Sequence, residues 1–332
     1  MQLAIIGATG LVGRTLLAII TERKFRFEDL LLVASEVSEG QPIHFAGHDY
    51  KLVGIQTALE AKPTLAIFSA STELSLDWAP RFAAVGTIVV DNSAVWRLHP
   101  SYKLIVPEVN GHLLSSKDKI IANPNCSTIQ LVMALAPLHY QYRLKRLVIA
   151  TYQSVTGSGK IAVDQLLGER QGLSDLPHAY PHPIDLNVIP HIDTFLDNGY
   201  TQEEMKLLNE TRKILDDEDI QVTATAVRVP VLGGHAMAVN AELRQEFELG
   251  SVIQLLRKAP GIVVVDDVAK CSYPMPCSAQ HRDEVFVGRI RRDESQPRTL
   301  NLWIVADNLR KGAATNAVQI AEYLCSYLLV DP

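Results

Sequence analysis

One of the four cysteines follows a turn rich in asparagine and proline. Residues 120–130 read IIANPNCSTIQ, so Cys126 stands at the start of a helical pattern over residues 127–136, which Pro137 is expected to end. A thiolate at a helix start is stabilised by unpaired N–H groups and by the helix dipole, and it can attack a carbonyl carbon. The alternative is a buried structural thiol. Cys126 is therefore a candidate nucleophile.

A candidate acid–base residue follows a glycine turn. Residues 228–235 read RVPVLGGH, which places His235 between two strand patterns. The chain has ten histidines, and an isolated histidine is usually an ordinary core or surface residue. His235 is set apart by Arg228, because a cation in an apolar strand needs a carboxylate from the protein or from a ligand. The segment is a candidate for proton transfer and for anion binding.

A second glycine turn joins the first strand pattern to the first helical pattern. Gly7, Gly10 and Gly13 allow a tight turn and a close approach of the backbone, and the helix start offers N–H donors to a pyrophosphate. The alternative is an ordinary strand–helix turn. Because the turn lies between a strand and a helix, as a dinucleotide motif requires, the sequence favours dinucleotide binding.

The residues after the second strand pattern bear on which nicotinamide dinucleotide would bind. Residues 34–39 read ASEVSE. Acidic groups here bind the ribose hydroxyls of NAD, which favours NAD through Glu36 and Glu39. Ser35 and Ser38 can instead hydrogen-bond the extra phosphate of NADP. The residues alone leave the choice open.

The strand and helix patterns that carry these candidates fall into two groups. Strand patterns alternate with helical patterns in the first third of the chain, which predicts a parallel sheet covered on both faces. After about residue 125 several longer strand patterns alternate apolar and polar residues, which is typical of an antiparallel sheet. Helical patterns at 201–215, with Thr201 as N-cap, and at 313–329 accompany them. The strand patterns lie at 3–6, 30–34, 65–69, 88–91, 147–155, 221–230, 236–243 and 300–306.

Composition excludes several classes of protein. The chain has 332 residues, 47% of them hydrophobic and 20% charged, which is the profile of a soluble globular protein of two domains. A net charge of −6 argues against nucleic-acid binding. No export signal or membrane-spanning run is recognised, and the cysteines lack the spacing of a zinc site. We expect a cytoplasmic protein with free thiols, no metal and no nucleic-acid or membrane partner.

Four segments together resemble the aspartate-β-semialdehyde dehydrogenase family. They are Asn125-Cys126-Ser127, the segment YQSVTG at residues 152–157, the segment NVIPHID at residues 187–193, and residues 228–235. The resemblance extends from the Gly7–Gly13 turn to ADNLRKGAA at residues 306–314. It implies an α/β protein with an N-terminal Rossmann-type doubly wound parallel sheet and an α+β catalytic and dimerisation domain with a largely antiparallel sheet. The expected boundaries are 1–125, completed by a C-terminal helix at about 308–332, and 126–307.

The resemblance implies NADPH-dependent reduction of L-aspartyl-4-phosphate to aspartate semialdehyde and inorganic phosphate, on the way to lysine, threonine and methionine. It implies a homodimer, with a homotetramer as the alternative, and NAD as an alternative to NADP. Cys126 would form a thioester, His235 would transfer protons and Gln153 would orient the substrate. The substrate-binding residues would be Arg97, Asn125, Glu203, Lys206 and Arg228. The cofactor-binding residues would be Gly7, Thr9, Gly10, Leu11, Val12, Gly13, Ser35, Ser38, Ser69, Ala70, Ser154, Gly157 and Asn308.

The sequence departs from the family pattern in three places. Val37 or a neighbour stands where many members have arginine, which weakens the prediction of strict NADP use. Ser71-Thr72 replaces a common Gly-Gly, and Ala236-Met237-Ala238 replaces Ser-Glu-Ser. That last triplet resembles a paralogous group that lacks the cysteine. The alternatives are therefore N-acetyl-γ-glutamyl-phosphate reductase, which uses the same chemistry on a longer substrate, and a catalytically silent binding paralogue. Glu203, Lys206 and the spacing from Arg228 to His235 favour the aspartyl enzyme.

Overall fold

A computed structural model describes residues 1–173 and 175–327 of the chain. Its strands are β1 Gln2–Ile6, β2 Asp29–Val33, β3 Pro42–Phe45, β4 His48–Lys51, β5 Leu65–Phe68, β6 Ile88–Asp91, β7 Lys103–Leu104, β8 Ile120–Ala122, β9 Leu144–Gln153, β10 Gln221–Arg228, β11 His235–Leu243, β12 Ile262–Val264, β13 Val285–Arg292 and β14 Thr299–Ala306. Its α-helices are α1 Leu11–Glu22, α2 Ile55–Glu60, α3 Thr72–Ala84, α4 Pro107–Asn110, α5 Cys126–Tyr142, α6 Lys160–Arg170, α7 Gln202–Leu215, α8 Leu249–Lys258, α9 Pro276–Ala279 and α10 Thr315–Tyr327.

The chain divides into two compact units. One unit consists of Met1–Pro124 together with the C-terminal segment that begins at Ala313, and the other is Asn125–Gly312. Residues 308–312 thus belong to the second unit, whereas the sequence assigned them to the first. They are held there by side-chain contacts, since Asn308 hydrogen-bonds Ser154 and Thr156. Residues 328–332 of the predicted C-terminal helix lie outside the described residues.

The first unit is built on a parallel sheet of six strands in the order β2-β1-β5-β6-β8-β7. Leu3 in β1 pairs with Leu30 on one side and with Leu65 on the other. All three side chains are buried, as expected for strands covered on both faces. Helix α10 contributes Val318 and Leu324 to the same core. The Rossmann-type prediction for this unit is confirmed.

The second unit is built on a mixed sheet of six strands in the order β10-β9-β11-β14-β13-β12. The central pairs β9 with β11, β11 with β14 and β13 with β14 are antiparallel, and the outer pairs β10 with β9 and β12 with β13 are parallel. The predicted largely antiparallel sheet is therefore confirmed, with parallel strands added at its two edges.

The prediction that Pro137 ends the helix after Cys126 is wrong. Helix α5 continues through Pro137 to Tyr142. Nearly every residue from Ser127 to His139 is buried, and α5 packs against α7, α8 and the sheet. Burial of a helix on all sides is a tertiary effect that outweighs the loss of one backbone hydrogen bond at proline.

The described residues contain no helix long and apolar enough to cross a membrane. Within the same residues, no group of three metal-ligating side chains is close enough to hold an ion.

Candidate active site

The glycine turn between β1 and α1 is shaped by close backbone packing. A Cβ added to Gly7 would lie 2.2 Å from the carbonyl oxygen of Ser69, and one added to Gly13 would lie 2.2 Å from that of Gly7. Both obstacles are backbone atoms, so neither position accepts a side chain. A Cβ at Gly10 would meet only the Gly7 oxygen at 3.5 Å, which is ordinary contact. The turn is therefore tight at its two ends and open at Gly10, as the approach of a pyrophosphate requires.

A cavity of about 840 Å³ opens beside this turn, and all of its lining belongs to the first unit. Of the residues predicted to bind the cofactor, Gly7, Thr9, Gly10, Ser35, Ser69 and Ala70 line it. Leu11, Val12 and Gly13 form the first turn of α1. Ser38 lies in the loop after β2, where its N–H donates to the carbonyl of Ser35. The cavity has the size and the backbone cradle of a nucleotide site.

The candidate nucleophile is the first residue of α5 in the second unit. Asn125 is the N-cap, and its side-chain oxygen accepts hydrogen bonds from the N–H groups of Ser127 at 2.9 Å and Thr128 at 3.3 Å. Cys126 is in no disulfide with another described cysteine, and it is partly buried. Gly312 packs against it so closely that an added Cβ would lie 3.1 Å from the Cys126 Cβ. The predicted position of Cys126 at a helix start is confirmed.

The carboxylate of Glu203 on α7 gathers three of the predicted site residues. It accepts hydrogen bonds from Nδ2 of Asn125 at 3.0 Å and from Nε2 of Gln153 at 3.1 Å. Lys206, one turn later on α7, lies 3.4 Å away and also binds Asp193 at 2.6 Å. Glu203 is buried, so each of these charge-assisted bonds is screened little by water. Residues from α5, α7 and β9 thus meet at one anion.

Glu210 fixes the backbone of the same turn. Its carboxylate oxygen accepts a hydrogen bond of 2.7 Å from the N–H of Asn125, and its side chain is fully buried. Glu203 and Glu210 are seven residues apart, which places them on one face of α7. Helix α7 therefore holds both the side chain and the main chain of the residue before Cys126.

His235 and Arg228 meet at Ser154. The N–H of Ser154 donates to Nδ1 of His235 at 3.1 Å, and Nη1 of Arg228 donates to the Ser154 carbonyl at 2.7 Å. Both side chains are buried. Nε2 of His235 and Nε of Arg228 have no hydrogen-bond partner among the residues that the structure describes. Each is a buried polar atom that a ligand could satisfy.

Burial lowers the pKa of His235 well below its ordinary value of 6.5, and the positive charge of Arg228 lowers it further. The imidazole is therefore neutral at pH 7. Because Nδ1 accepts the Ser154 N–H, the proton of the neutral ring resides on Nε2. His235 can donate a hydrogen bond from that atom.

The three cofactor-binding residues predicted in the second unit surround this histidine. Ser154 Oγ lies 3.2 Å from Nδ1 of His235 and donates to Oδ1 of Asn308 at 3.0 Å. A Cβ at Gly157 would lie 2.9 Å from Nη1 of Arg228 and 3.1 Å from Nε2 of His235. Gly157 thus leaves space directly beside Nε2 of His235 and the guanidinium group of Arg228.

Arg97 is the predicted substrate-binding residue that lies in the first unit. Its side chain is buried and its Nη2 donates to the carbonyl of Asn92 at 2.6 Å. Nearby, burial raises the pKa of Asp91, whose carboxylate accepts hydrogen bonds from Ser75 and Ser93 and lies near Arg97. The structure thus gives Arg97 a fixed place within its own unit. A role in phosphate binding stays a prediction.

Two domain models of the semialdehyde dehydrogenases match the chain, the NAD binding domain over residues 2–117 and the dimerisation domain over residues 135–311. The chain is 47% identical to the aspartate-semialdehyde dehydrogenase of Aquifex aeolicus over 97% of both chains. It is also 47% identical to that of Legionella pneumophila, over 98% of this chain and 95% of the relative. The solved structure of aspartate semialdehyde dehydrogenase II from Vibrio cholerae, complexed with ASA, matches with a TM-score of 0.94 at 42% identity and covers 98% of this chain and 99% of that one.

The chain belongs to the aspartate-semialdehyde dehydrogenase family. The resemblance that the four sequence segments carry is thereby confirmed. Two of the three departures from the family pattern lie outside the loop after β2, and a residue in each of them has a local structural role. Ser71, at a position where many members of the aspartate-semialdehyde dehydrogenase family have glycine, is the N-cap of α3 and accepts a hydrogen bond from the Leu74 N–H at 3.3 Å. Ala236 lies buried in β11 against Phe286 and Val305, where it fills the core.

Sequence reasoning missed several residues that hold the family's site together. Glu210 was not singled out, although its spacing of seven residues from Glu203 on a predicted helix is a usable signal. Thr156, which hydrogen-bonds Asn308, and Asp193, which pairs with Lys206, had no local pattern that pointed to those roles. Cys271 and Cys277 are both exposed free thiols.

Proposed function

We propose that this chain catalyses the reversible reduction of L-aspartyl-4-phosphate to aspartate semialdehyde and inorganic phosphate, with a nicotinamide dinucleotide as hydride donor. The reaction would supply lysine, threonine and methionine synthesis. The observation that carries the proposal is the convergence of Asn125, Gln153 and Lys206 on Glu203, since Asn125 directly precedes Cys126. This arrangement gives the proposed nucleophile a capped helix start whose cap is held by a buried carboxylate.

Arg228 would recognise the α-carboxylate of the substrate. One of its nitrogens is bound to the Ser154 carbonyl, whereas its buried Nε has no partner in the described parts of the chain. A buried guanidinium with unused donors is stabilised by a carboxylate, and its planar geometry suits two parallel hydrogen bonds. Asn125 and Lys206 would bind the departing phosphate. The resemblance implies that Arg97 binds this phosphate as well.

The thiolate of Cys126 would attack the acyl carbon, and the bond from that carbon to the phosphate oxygen would break, giving a thioester and free phosphate. A bound nicotinamide would supply the hydride that reduces the thioester carbonyl to a thiohemiacetal. The Nε2–H group of His235 would donate a hydrogen bond to the thiohemiacetal oxyanion, which would collapse to the aldehyde as the carbon–sulfur bond breaks. Aldehyde and thiolate are then released, and Gln153 would hold the carbonyl in place through these steps.

The first unit would bind the dinucleotide. Its fit is supported by the cradle at Gly7 and Gly13, which backbone atoms keep free of side chains, and by the open approach at Gly10. The resemblance implies NADPH, and NADH is the alternative that the carboxylates of Glu36 and Glu39 favour.

The second unit matches a dimerisation domain, and we propose a homodimer, with a homotetramer as the alternative. A cytoplasmic location is proposed with it, because a catalytic thiol and three further free cysteines suit a reducing compartment. Light scattering of the purified chain measures the oligomeric state directly.

Substitution of Cys126 tests the proposed function. In Cys126→Ala, phosphate-dependent oxidation of aspartate semialdehyde should fall at least about 10⁴-fold because no thioester can form, while dinucleotide binding persists. Cys271→Ser, which removes an exposed thiol, is the matched control and should keep full activity. An alkylating agent should label Cys126 faster than Cys271 in the native protein.

The rival functions give different results in the same assays. N-acetyl-γ-glutamyl-phosphate reductase activity would appear as turnover of the acetylated glutamyl phosphate alone. A silent paralogue would show no turnover of either acyl phosphate and ordinary labelling of Cys126. Retained turnover in Cys126→Ala would contradict the thioester mechanism.

A further inference from the structure

The loop after β2 forms a single helical turn at the edge of the nucleotide cavity. The N–H groups of Ser38 and Glu39 both donate to the carbonyl of Ser35, at 2.8 and 3.0 Å. In such a turn, residues three apart lie on the same face. Glu36 and Glu39 are three apart, and both line the cavity. Two carboxylates are therefore presented to the same end of the nucleotide site.

The carboxylate of Glu39 is packed against a glycine. A Cβ added to Gly54 would lie 2.8 Å from Oε2 of Glu39 and 3.1 Å from its Cδ and Oε1. Gly54 itself lines the cavity. Its missing side chain thus makes the room that the carboxylate occupies in the cavity wall.

The cavity lining, all of it within the described residues, contains no lysine or arginine. Val37, at the tip of the loop, is almost fully exposed and carries no charge. Arg14 donates from Nε to the Thr9 carbonyl at the glycine turn. The side chain of Lys51 lies near Gly40, since its Cε would be 3.6 Å from a Cβ added to that glycine. Lys51 does not line the cavity. The loop end of the cavity is therefore lined by carboxylates without a lining cation.

We propose that Glu36 and Glu39 make NADH the preferred hydride donor of this chain over NADPH, an inference that rests on the proposed function. A carboxylate accepts hydrogen bonds from the ribose 2′- and 3′-hydroxyls of NADH. The 2′-phosphate of NADPH offers no such donor and brings negative charge against two carboxylates. Ser35 still offers a hydroxyl to a phosphate, so NADPH binds more weakly without being excluded.

Direct binding measurements test the preference for NADH over NADPH without depending on turnover. Trp78 lines the cavity, so quenching of its emission reports occupancy by NADH or NADPH, and Trp78→Phe identifies that signal. The wild-type chain should bind NADH about tenfold or more tightly than NADPH at low salt. Because charge repulsion is screened by ions, the ratio of the two dissociation constants should shrink in 0.5 M sodium chloride.

Removal of the two charges should reverse the ratio. In the E36Q/E39Q variant, affinity for NADPH should rise about tenfold, and affinity for NADH should fall because the ribose hydroxyls lose charged acceptors. Glu60→Gln is the matched control, since Glu60 is an exposed carboxylate of the same unit outside the cavity lining, and its ratio should equal that of the wild type.

Two outcomes would overturn the inference. One is a wild-type chain that binds NADPH more tightly than NADH, including the case in which Lys51→Ala abolishes that preference. The other is a ratio that E36Q/E39Q leaves unchanged. If the chain binds NADH more tightly than NADPH but turns over neither acyl phosphate, the proposed function is contradicted. The inferred preference for NADH is then still supported.

Discussion

The nucleotide cavity of the first unit and the cysteine site of the second are built in opposite ways. The cavity is shaped by backbone atoms and by the absence of side chains at Gly7 and Gly13. The cysteine site is assembled from buried side chains that meet at Glu203 and at the main chain of Ser154. Backbone shape therefore governs the first region and the placement of charged side chains governs the second, except at Glu36 and Glu39, whose carboxylates line the cavity.

The largest effect should come from adding one methyl group to the backbone cradle. In Gly13→Ala the new Cβ would lie 2.2 Å from the Gly7 oxygen and 2.8 Å from two backbone atoms of Ala8. Because the obstacles are backbone, we expect a loss of stability of several kcal/mol, about 3 or more. Urea unfolding measures it.

Two other glycines are controls for that experiment. Gly250 lies in α8 with nothing within 4 Å of an added Cβ, so Gly250→Ala should stabilise the protein by about 0.5–1 kcal/mol. Gly10→Ala should fold normally and lose dinucleotide affinity, because its Cβ enters the approach to the cavity. Equal stability of Gly13→Ala and wild type would show that shape does not limit the first unit.

The next effect in size should come from the charge at Glu203. Glu203→Gln keeps the volume but replaces one acceptor oxygen by a donor that faces Asn125, Gln153 and Lys206. Loss of about 2–3 kcal/mol from these charge-assisted bonds should lower kcat/KM about 100-fold. Glu218→Gln, an exposed acid beyond the end of α7, should leave steady-state kinetics unchanged. Equal kinetics for Glu203→Gln and Glu218→Gln would mean that turnover does not depend on the charge of Glu203.

The smallest effect should be the pH dependence of stability. The unfolded chain protonates His235 near pH 6.5, whereas burial keeps the folded residue neutral to lower pH. The unfolded state therefore binds more protons as the pH falls, and the folded state should lose about 1–2 kcal/mol between pH 7 and pH 5. Burial lowers the pKa of His139 as well, in the same direction.

His235→Asn removes this titration, so its unfolding free energy should depend less on pH over the same interval. Chemical denaturation at several pH values measures both chains. A variant whose pH dependence equals that of the wild type would contradict a contribution from His235.

Sequence patterns predicted the elements whose signals are local. The N-cap at Thr201 and the glycine turn each depend on a few neighbouring residues, and both are where the sequence placed them. Helix α5 was predicted too short, because the packing that carries it past Pro137 comes from distant elements. The same limit applied to the site, where Glu210 and Asp193 act on residues far away in sequence.

Gly312 and Cys126 give the second unit the topology of an inserted module. The unit begins at Asn125 and ends at Gly312, and the close contact between Gly312 and Cys126 brings these two ends together. A segment whose two ends lie close together can be inserted into a loop of another domain without distorting the backbone of either one. Cys126 and its N-cap Asn125 lie at one end of this segment and Glu203 lies within it, so the proposed nucleophile and the residues that hold it would move together as one piece.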